Sequence, residues 1–398
     1  MTQQIFPREF HRGKAPTGGN VIKYGDPDEV RLLSEFRKGT DSGSLRMVRL
    51  IDLPDLTRKA DSPIKFIVDR ILQMPEFKNF DVVVTPETIK VQNSFDVFNV
   101  PTDHPSRQPT DTYFLNADRI LRTQTTVMWF YYLNDSDIRT TLEQRGYLSA
   151  LSYGKVYRKD EIDRNHFPVF HQMDGLYIVE KQDKQTTLET LQDVLRSIIY
   201  SVFGPGIEFR FLEDTFPFTY PSTQIEIKYG DQWLEVVGGG MVHRNVMRNL
   251  GLDPEIYNGW AFGFGLERLA MIKNNIPDIR LFWSNNPRIT KQFKNIDSQF
   301  VEVSKYPAIV RDISFIVNKD FAPNVYFDLV RDVAGDLAEE VALLDEYENE
   351  EKFGKGKKSY AYRITYRSND RTLTNDEIDA LHKTLERKTT EEFGAIVR

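Results

Sequence analysis

At 398 residues, with 40% hydrophobic and 12% aromatic side chains, the chain has material for two or three domains with sizeable cores. It contains no cysteine, which excludes disulfides, thiolate metal sites and a cysteine nucleophile. A net charge of −7 is the wrong sign for a generic nucleic-acid binder, so any RNA contact has to come from local patches. No apolar run approaches the roughly 18 residues of a membrane span, so no membrane partner is expected. The six histidines are scattered without paired spacing, which argues against a histidine metal site.

The first twenty residues carry Arg8, Arg12 and Lys14 beside Glu9 and are broken by Pro7 and Pro16. They lack a secretory apolar core and make only a thin transit peptide. Residues 1–60 read as an irregular N-terminal extension with short elements around 28–38 and 45–51. Residues 61–77 predict a helix: Asp61 or Ser62 caps it, Pro63 suits its first turn, and Ile64, Ile67, Val68, Ile71 and Leu72 share one face. Residues 95–116 read as loop, and 120–133 start polar and become an apolar helix.

Residues 148–180 predict strand, charged loop, strand. Alternation puts Phe170, Gln172 and Asp174 on one face and Val169, His171 and Met173 on the other, with Arg158 ending the first strand. The bland alternative is an amphipathic hairpin with a solvated loop. A helix over 186–203 buries Leu188, Leu191, Val194, Leu195, Ile198 and Ile199. Residues 209–241 predict a strand, a proline-marked strand and a hairpin turning near Gly230. Phe216 and Phe218 are two apart, so both rings point the same way if the segment is extended. Three glycines, Gly238, Gly239 and Gly240, at a strand end imply close approach to something flat.

Residues 258–283 organise the rest. A glycine-studded strand from Gly259 to Gly265 runs into a helix opening Leu266-Glu267-Arg268. Glycines permit close backbone approach, and a helix start offers unpaired N–H groups to an anion. With Arg268 in the first turn, the stretch predicts a phosphate site; the alternative is a buried strand under a helix, with Arg268 paired to a carboxylate. Residues 284–304 are polar and read as a linker. Residues 305–398 predict β-α-β-β-α-β, a ferredoxin-like plan. Lys352, Lys355, Lys357, Lys358, Arg363, Arg367 and Arg371 cluster there with Tyr360, Tyr362 and Tyr366 between them. Cations and rings suit RNA, and a solvated charged loop is the rival reading.

The string G-F-G-L-E-R resembles motif 3 of the class II aminoacyl-tRNA synthetases. The strings FDVFNVPTDHPSR, FPFTYPS and SKYPAIVRDISF are similar to segments of the single-chain, mitochondrial-type phenylalanyl-tRNA synthetases. The resemblance covers about residues 95–398. It implies an α+β fold: a class II antiparallel sheet flanked by helices over 61–290, a linker at 291–304, and a ferredoxin-like anticodon-binding domain over 305–398. It implies ATP and Mg²⁺ as cofactors, phenylalanine and tRNA(Phe) as partners, a monomer, and the mitochondrial matrix, or a cytoplasm if the source is prokaryotic or viral.

Residue by residue, the resemblance gives Arg158 and Arg268 the catalytic positions on the phosphates, Phe170 the adenine ring and His166 the phosphates. Gln124, Thr126, Gln172 and Asp174 fall where the family holds the amino acid's polar end. Phe216, Phe218, Ala261, Gly238, Gly239 and Gly240 fall where it holds the ring. Glu235 is the candidate for Mg²⁺; Lys355, Lys357, Lys358, Arg363 and Arg367 are the candidates for tRNA. The chain departs from the family at Gln124-Thr125-Thr126, where His-Thr-Ser is usual, at Asp174, where Glu is commoner, and at Gly239, usually Cys. Those departures leave open a changed amino-acid specificity or a non-catalytic tRNA-binding protein; a third rival is an adenylate-forming ligase with another acceptor. No segment is large enough for an editing domain, so no hydrolytic editing is expected.

Overall fold

The computed structural model describes residues 8–9, 14–182, 186–302 and 306–398. Pro7, Arg12, Ser304 and Lys305, all used in the sequence reading, lie outside the described residues. Before residue 300 the strands are β1 (Arg8–Glu9), β2 (Val21–Tyr24), β3 (Asp81–Val84), β4 (Thr88–Lys90), β5 (Arg119–Leu121), β6 (Tyr147–Tyr157), β7 (Val169–Glu180), β8 (Phe209–Phe216), β9 (Thr219–Tyr229), β10 (Gln232–Val242) and β11 (Tyr257–Gly265). Nine of them form one sheet in the order β1-β2-β3-β6-β7-β11-β10-β9-β8, and β4 pairs with β5. The β2–β3 and β3–β6 ladders are parallel and the others in the large sheet antiparallel.

One face of the sheet is covered by three helices. The first, Pro63–Leu72, starts as its sequence demands, with the Ser62 side chain accepting from Ile64 N–H and a proline in the first turn. The second, Leu188–Phe203, and the third, Leu266–Asn274, pack beside it in one apolar cluster with Met173, Ile225 and Phe262. The other face carries the buried helix Met128–Leu133 at one end and a cleft at the other. No helix among the described residues is long and apolar enough to cross a membrane.

Two segments differ from the sequence reading. In the region of the expected extension, the short elements expected around 28–38 and 45–51 are the helices Pro27–Lys38 and Ser42–Asp52, and what differs is that the region also supplies β2 to the large sheet. Ile22, Tyr24, Leu32, Met47 and Leu50 are all buried; sparse apolar residues find their partners only across the fold. The polar run read as a linker is packed as well. Ile289, Phe293, Ile296 and Phe300 enter the same core as the three covering helices. Among the described residues of this segment only Pro287–Thr290 is helical, so the four residues reach the core from turns and irregular chain with no regular period to mark them.

The last part of the chain is β12 (Ile309–Asn318), the helix Pro323–Ala334, β13 (Ala338–Tyr347), β14 (Lys357–Tyr366), the helix Asn375–Phe393 and β15 (Ile396–Val397). The strand order β13-β14-β12-β15 is the ferredoxin-like arrangement expected. Tyr360, Tyr362 and Tyr366 are 3%, 1% and 0% exposed. Alternation places them with Ile364 on the inner face of β14, so they are core rings and do not stack on bases.

This domain docks on the first through polar contacts. Tyr113 Oη donates to Asp328 (2.7 Å), Arg46 pairs with Asp332 (2.8 Å), and Asn324 Nδ2 donates to Asp111 (3.1 Å).

Phe293→Ala tests whether 284–302 is core. The substitution should cost about 3 kcal/mol of stability, as ring loss from a packed site does, measured by denaturant unfolding. A cost below about 0.5 kcal/mol, the value for an exposed position, would mean a solvated tether.

Candidate active site

The cleft has a volume of about 590 Å³ and lies over β7, β10 and β11. Period-2 alternation along β7 does what the sequence predicts: Phe170, Gln172 and Asp174 line the cleft, and His171 and Met173 are fully buried behind it. His171 is fixed on both ring nitrogens. Nδ1 lies 2.6 Å from Glu267 Oε1, and Nε2 accepts from the Leu56 N–H at 3.0 Å. The other Glu267 oxygen accepts the His171 N–H at 2.8 Å. The buried pair therefore bolts β7 to the first turn of the 266–274 helix, where Arg268 stands on the cleft side.

Asp174 is a buried carboxylate in the cleft, 3% exposed. Both of its oxygens accept hydroxyls, one from Thr125 and one from Thr126. Burial pushes its pKa up to about 6, against the pull of those hydroxyls and of Arg158 and Arg122. Its space is made by Gly263, directly across the β7–β11 ladder: a Cβ there would come within 2.9 Å of a carboxylate oxygen. Gln172 Oε1 accepts the Thr125 N–H at 3.3 Å, and Gln124 and Thr126 line the same end.

Arg158, Arg268 and His166 also line the cleft. The Arg158 guanidinium lies 5.2 Å from the centre of the Phe170 ring, and its Nε donates to the Thr123 carbonyl at 3.2 Å. His166 Nδ1 sits 2.8 Å from Asp163 Oδ2, and that hydrogen bond raises the imidazole pKa and favours its cationic form. Arg268 is exposed and donates to the Glu235 carbonyl at 3.0 Å, with no carboxylate partner among the described residues. Glu235 is at the rim, its pKa raised first by desolvation and then by Asp214 and Glu226, against the pull of Arg268. A cation here would relieve that repulsion, which fits the residue to a Mg²⁺ shared with phosphate oxygens. One carboxylate is all it brings: no group of three metal-type ligands occurs among the described residues.

The aromatic end differs in detail from expectation. Phe216 ends β8 and Phe218 lies in the turn before β9, so they are not neighbours on one extended strand. The hairpin stacks their rings instead, centroids 6.0 Å apart and 8° from parallel, and both line the cleft. Trp129 meets Phe218 edge-on at 6.1 Å and also lines the cleft. Its position in an apolar helix gave no sign of this.

Gly238 lies under Phe216, where a Cβ would come within 2.7 Å of the ring. At Gly239 a Cβ would strike the Ala261 carbonyl at 2.8 Å on the covered face, so sheet packing excludes a side chain there. Gly240 packs against the Pro221 carbonyl and does not line the cleft, contrary to expectation. Ala261 does line it.

Of the basic residues in the C-terminal domain, Lys358 is paired with Glu346, Arg363 with Asp312, Arg367 with Glu339 and Arg371 with Glu377. Lys355 is exposed and Lys357 half-buried, with no ion pair among the described residues. The sequence reading missed Thr125, His171 and Glu267. The signal for the last two was present: His171 alternates with the cleft residues, and Glu267 precedes Arg268 by about 100° of helix turn.

Residues 51–293 match the family model of the tRNA synthetases class II core domain (F), and residues 304–398 match that of the ferredoxin-fold anticodon binding domain. The chain is similar to the mitochondrial phenylalanine–tRNA ligase of Mus musculus, 36% identical over 80% of this chain and 75% of that one. It is similar to the mitochondrial phenylalanine–tRNA ligase of Dictyostelium discoideum, 36% identical over 78% of this chain and 77% of that one. It is also similar to the Saccharomyces cerevisiae protein of the same name, 31% identical over 95% and 94%.

The raised Asp174 pKa carries a stability test. Folding lifts it from 3.8 to about 6, so the folded state binds this proton more tightly than the unfolded chain. The associated stability is complete below the ordinary value and is lost as pH climbs through about 6. Asp174→Asn does not titrate. Its stability relative to the wild type should therefore improve between about pH 5 and pH 7.5, by roughly 1–2 kcal/mol. A difference that stays constant across that range would show that Asp174 is not the strained acid described.

Proposed function

We propose that this chain, which belongs to the phenylalanine–tRNA ligases of class II, activates phenylalanine with ATP and transfers the product to tRNA(Phe). The observation that supports this best is a single cleft lined by a buried carboxylate, stacked phenyl rings, two arginines and a histidine whose pKa is raised by Asp163.

The phenylalanine ring enters between Phe218, Trp129 and Ala261, and its ammonium meets Asp174 and Gln172, with Gln124 and Thr126 beside them. An ammonium is the ligand that a desolvated carboxylate needs: it favours the charged form that burial opposes. Asp174, one carbon shorter than the usual Glu, is compensated by the Thr125 and Thr126 hydroxyls that fix it. ATP lies across the other end, with adenine on Phe170 and the phosphates toward Arg158, His166 and Arg268. A carboxylate oxygen of phenylalanine attacks the α-phosphorus, the bond to the β,γ-diphosphate breaks, and phenylalanyl-adenylate and pyrophosphate result. The nucleophile is already anionic, so no general base is required. The arginines supply positioning and charge neutralisation. Glu235 would hold Mg²⁺, which when bound neutralises further phosphate charge.

The tRNA's terminal ribose hydroxyl then takes the acyl group, releasing AMP. For the anticodon-binding domain, Lys355 and Lys357 are the better candidates, because Lys358, Arg363 and Arg367 already have internal partners. The relatives' names support the mitochondrial matrix as the place of action, with a bacterial cytoplasm as the alternative, and the single-chain plan supports a monomer.

Amino-acid-dependent pyrophosphate–ATP exchange tests the reading. Phenylalanine should drive exchange above all other standard amino acids, and Arg158→Ala or Arg268→Ala should lower kcat by about 10²–10³-fold. Since ammonium binding needs ionised Asp174, kcat/KM for phenylalanine should fall about tenfold per pH unit below about 6. Exchange with a different amino acid would reassign the specificity. Folded, tRNA-binding protein without any exchange would leave a binding protein.

A further inference from the structure

Arg158 and His166 stand on one loop, residues 158–168, that joins β6 to β7. Arg158, Asn165, His166 and Phe167 face the cleft. The back of the loop faces the C-terminal domain. Four consecutive carbonyls on that side accept hydrogen bonds from it. Lys159 O accepts from Asn324 Nδ2 at 3.4 Å. Asp160 O and Glu161 O both accept from Arg331 Nη2, at 2.8 and 2.7 Å. Ile162 O accepts from the Val341 N–H at 2.8 Å, at the start of β13. The Ile162 side chain is 4% exposed and lies in the apolar core of the C-terminal domain, the cluster of Phe327, Leu329 and Tyr362. Arg164 adds an ion pair to the buried Glu339 at 2.8 Å. Between these anchors and the cleft, Asp163 accepts the Asn165 and His166 N–H groups and hands the fixed position on to the imidazole.

We infer that the C-terminal domain completes the ATP side of the catalytic site: Arg331, Val341 and Ile162 are positioning residues for Arg158 and His166. This rests on the reading that ATP binds at those two side chains. An exposed loop of this length has many conformations, and each ordered residue costs about 1–2 kcal/mol of backbone entropy. The docked domain holds four of its residues by their backbones, so Arg158 and His166 reach the phosphates from a fixed frame. The domain that reads the anticodon end of the tRNA would thus also serve the first, tRNA-independent step.

Arg331→Met, on the domain, and Ile162→Ser, on the loop, cut the contact from its two sides in the full chain. Both should raise the KM for ATP in pyrophosphate exchange about tenfold or more, with the KM for phenylalanine within about twofold of the wild type. Arg331→Lys, which keeps a donor, should recover part of the loss. Both should also expose the bonds after Lys159 and Arg164 to trypsin, a readout independent of activity. Arg387→Gln, which removes an exposed pair with Glu391 on the last helix, should change neither.

Unchanged ATP KM and trypsin resistance in both variants would overturn the inference. So would parallel rises in the two KM values, which would mean a general loosening of the cleft. A wild-type chain without exchange overturns the assigned reaction and this inference with it, whereas silent variants of an active wild type overturn the inference alone.

Discussion

Glu267 holds a carboxylate at 3% exposure against a histidine that is fully buried, and the catalytic geometry follows from that contact. A buried ionisable group is costly unless its partners satisfy it. Here both carboxylate oxygens take hydrogen bonds from a single residue, one from the ring and one from the backbone of His171. The tie joins a strand to a helix start, so the side chains on either side of it move as one body. Phe170 and Gln172 flank His171 in the strand, and Arg268 follows Glu267 in the helix. The alternation of a strand separates the two duties: odd residues hold the frame and even residues face the ligand. Trp283 closes the arrangement, stacking on His171 at 5.5 Å and on Phe167 at 5.5 Å, which carries the frame across to the loop bearing His166.

The glycines of β10 and β11 complement this frame. Gly263 opens the volume that the Asp174 carboxylate occupies, and Gly238 lets the Phe216 ring lie flat on the strand. Both are absences of a side chain that a neighbour requires. The cleft thereby brings a desolvated acid and stacked rings into one lining.

Much of this was legible in the residues. The β6–β7 hairpin, the strand-to-helix step at Gly265 and the ferredoxin-like plan all follow from local pattern, because period and punctuation are local properties. What failed to show was tertiary. Ile22 and Leu50 sit in short apolar patches, Val21-Ile22 and Leu50-Ile51, within a stretch that reads as an irregular extension, and Phe293 and Phe300 sit in a run that reads as linker; only the packed chain reveals their partners. Tyr360, Tyr362 and Tyr366 are a different failure. Their spacing of two and four already placed them on one face of a strand with Ile364, so alternation should have outweighed the attraction of rings among lysines. Phe216 and Phe218 converge for a reason opposite to the one expected, through a turn instead of a straight strand.

The anchoring of the 158–168 loop by the C-terminal domain has a consequence for synthesis. Ribosomes deliver the chain from its N-terminus, and the large sheet is complete once residue 265 has emerged. The partners of Lys159, Asp160, Glu161 and Ile162 lie between residues 324 and 341, within a domain whose own sheet needs β15 at residues 396–397. A nascent chain thus holds a formed sheet with an unanchored loop until residues 396–397 have emerged, and the seat of Arg158 and His166 is the last part to be built.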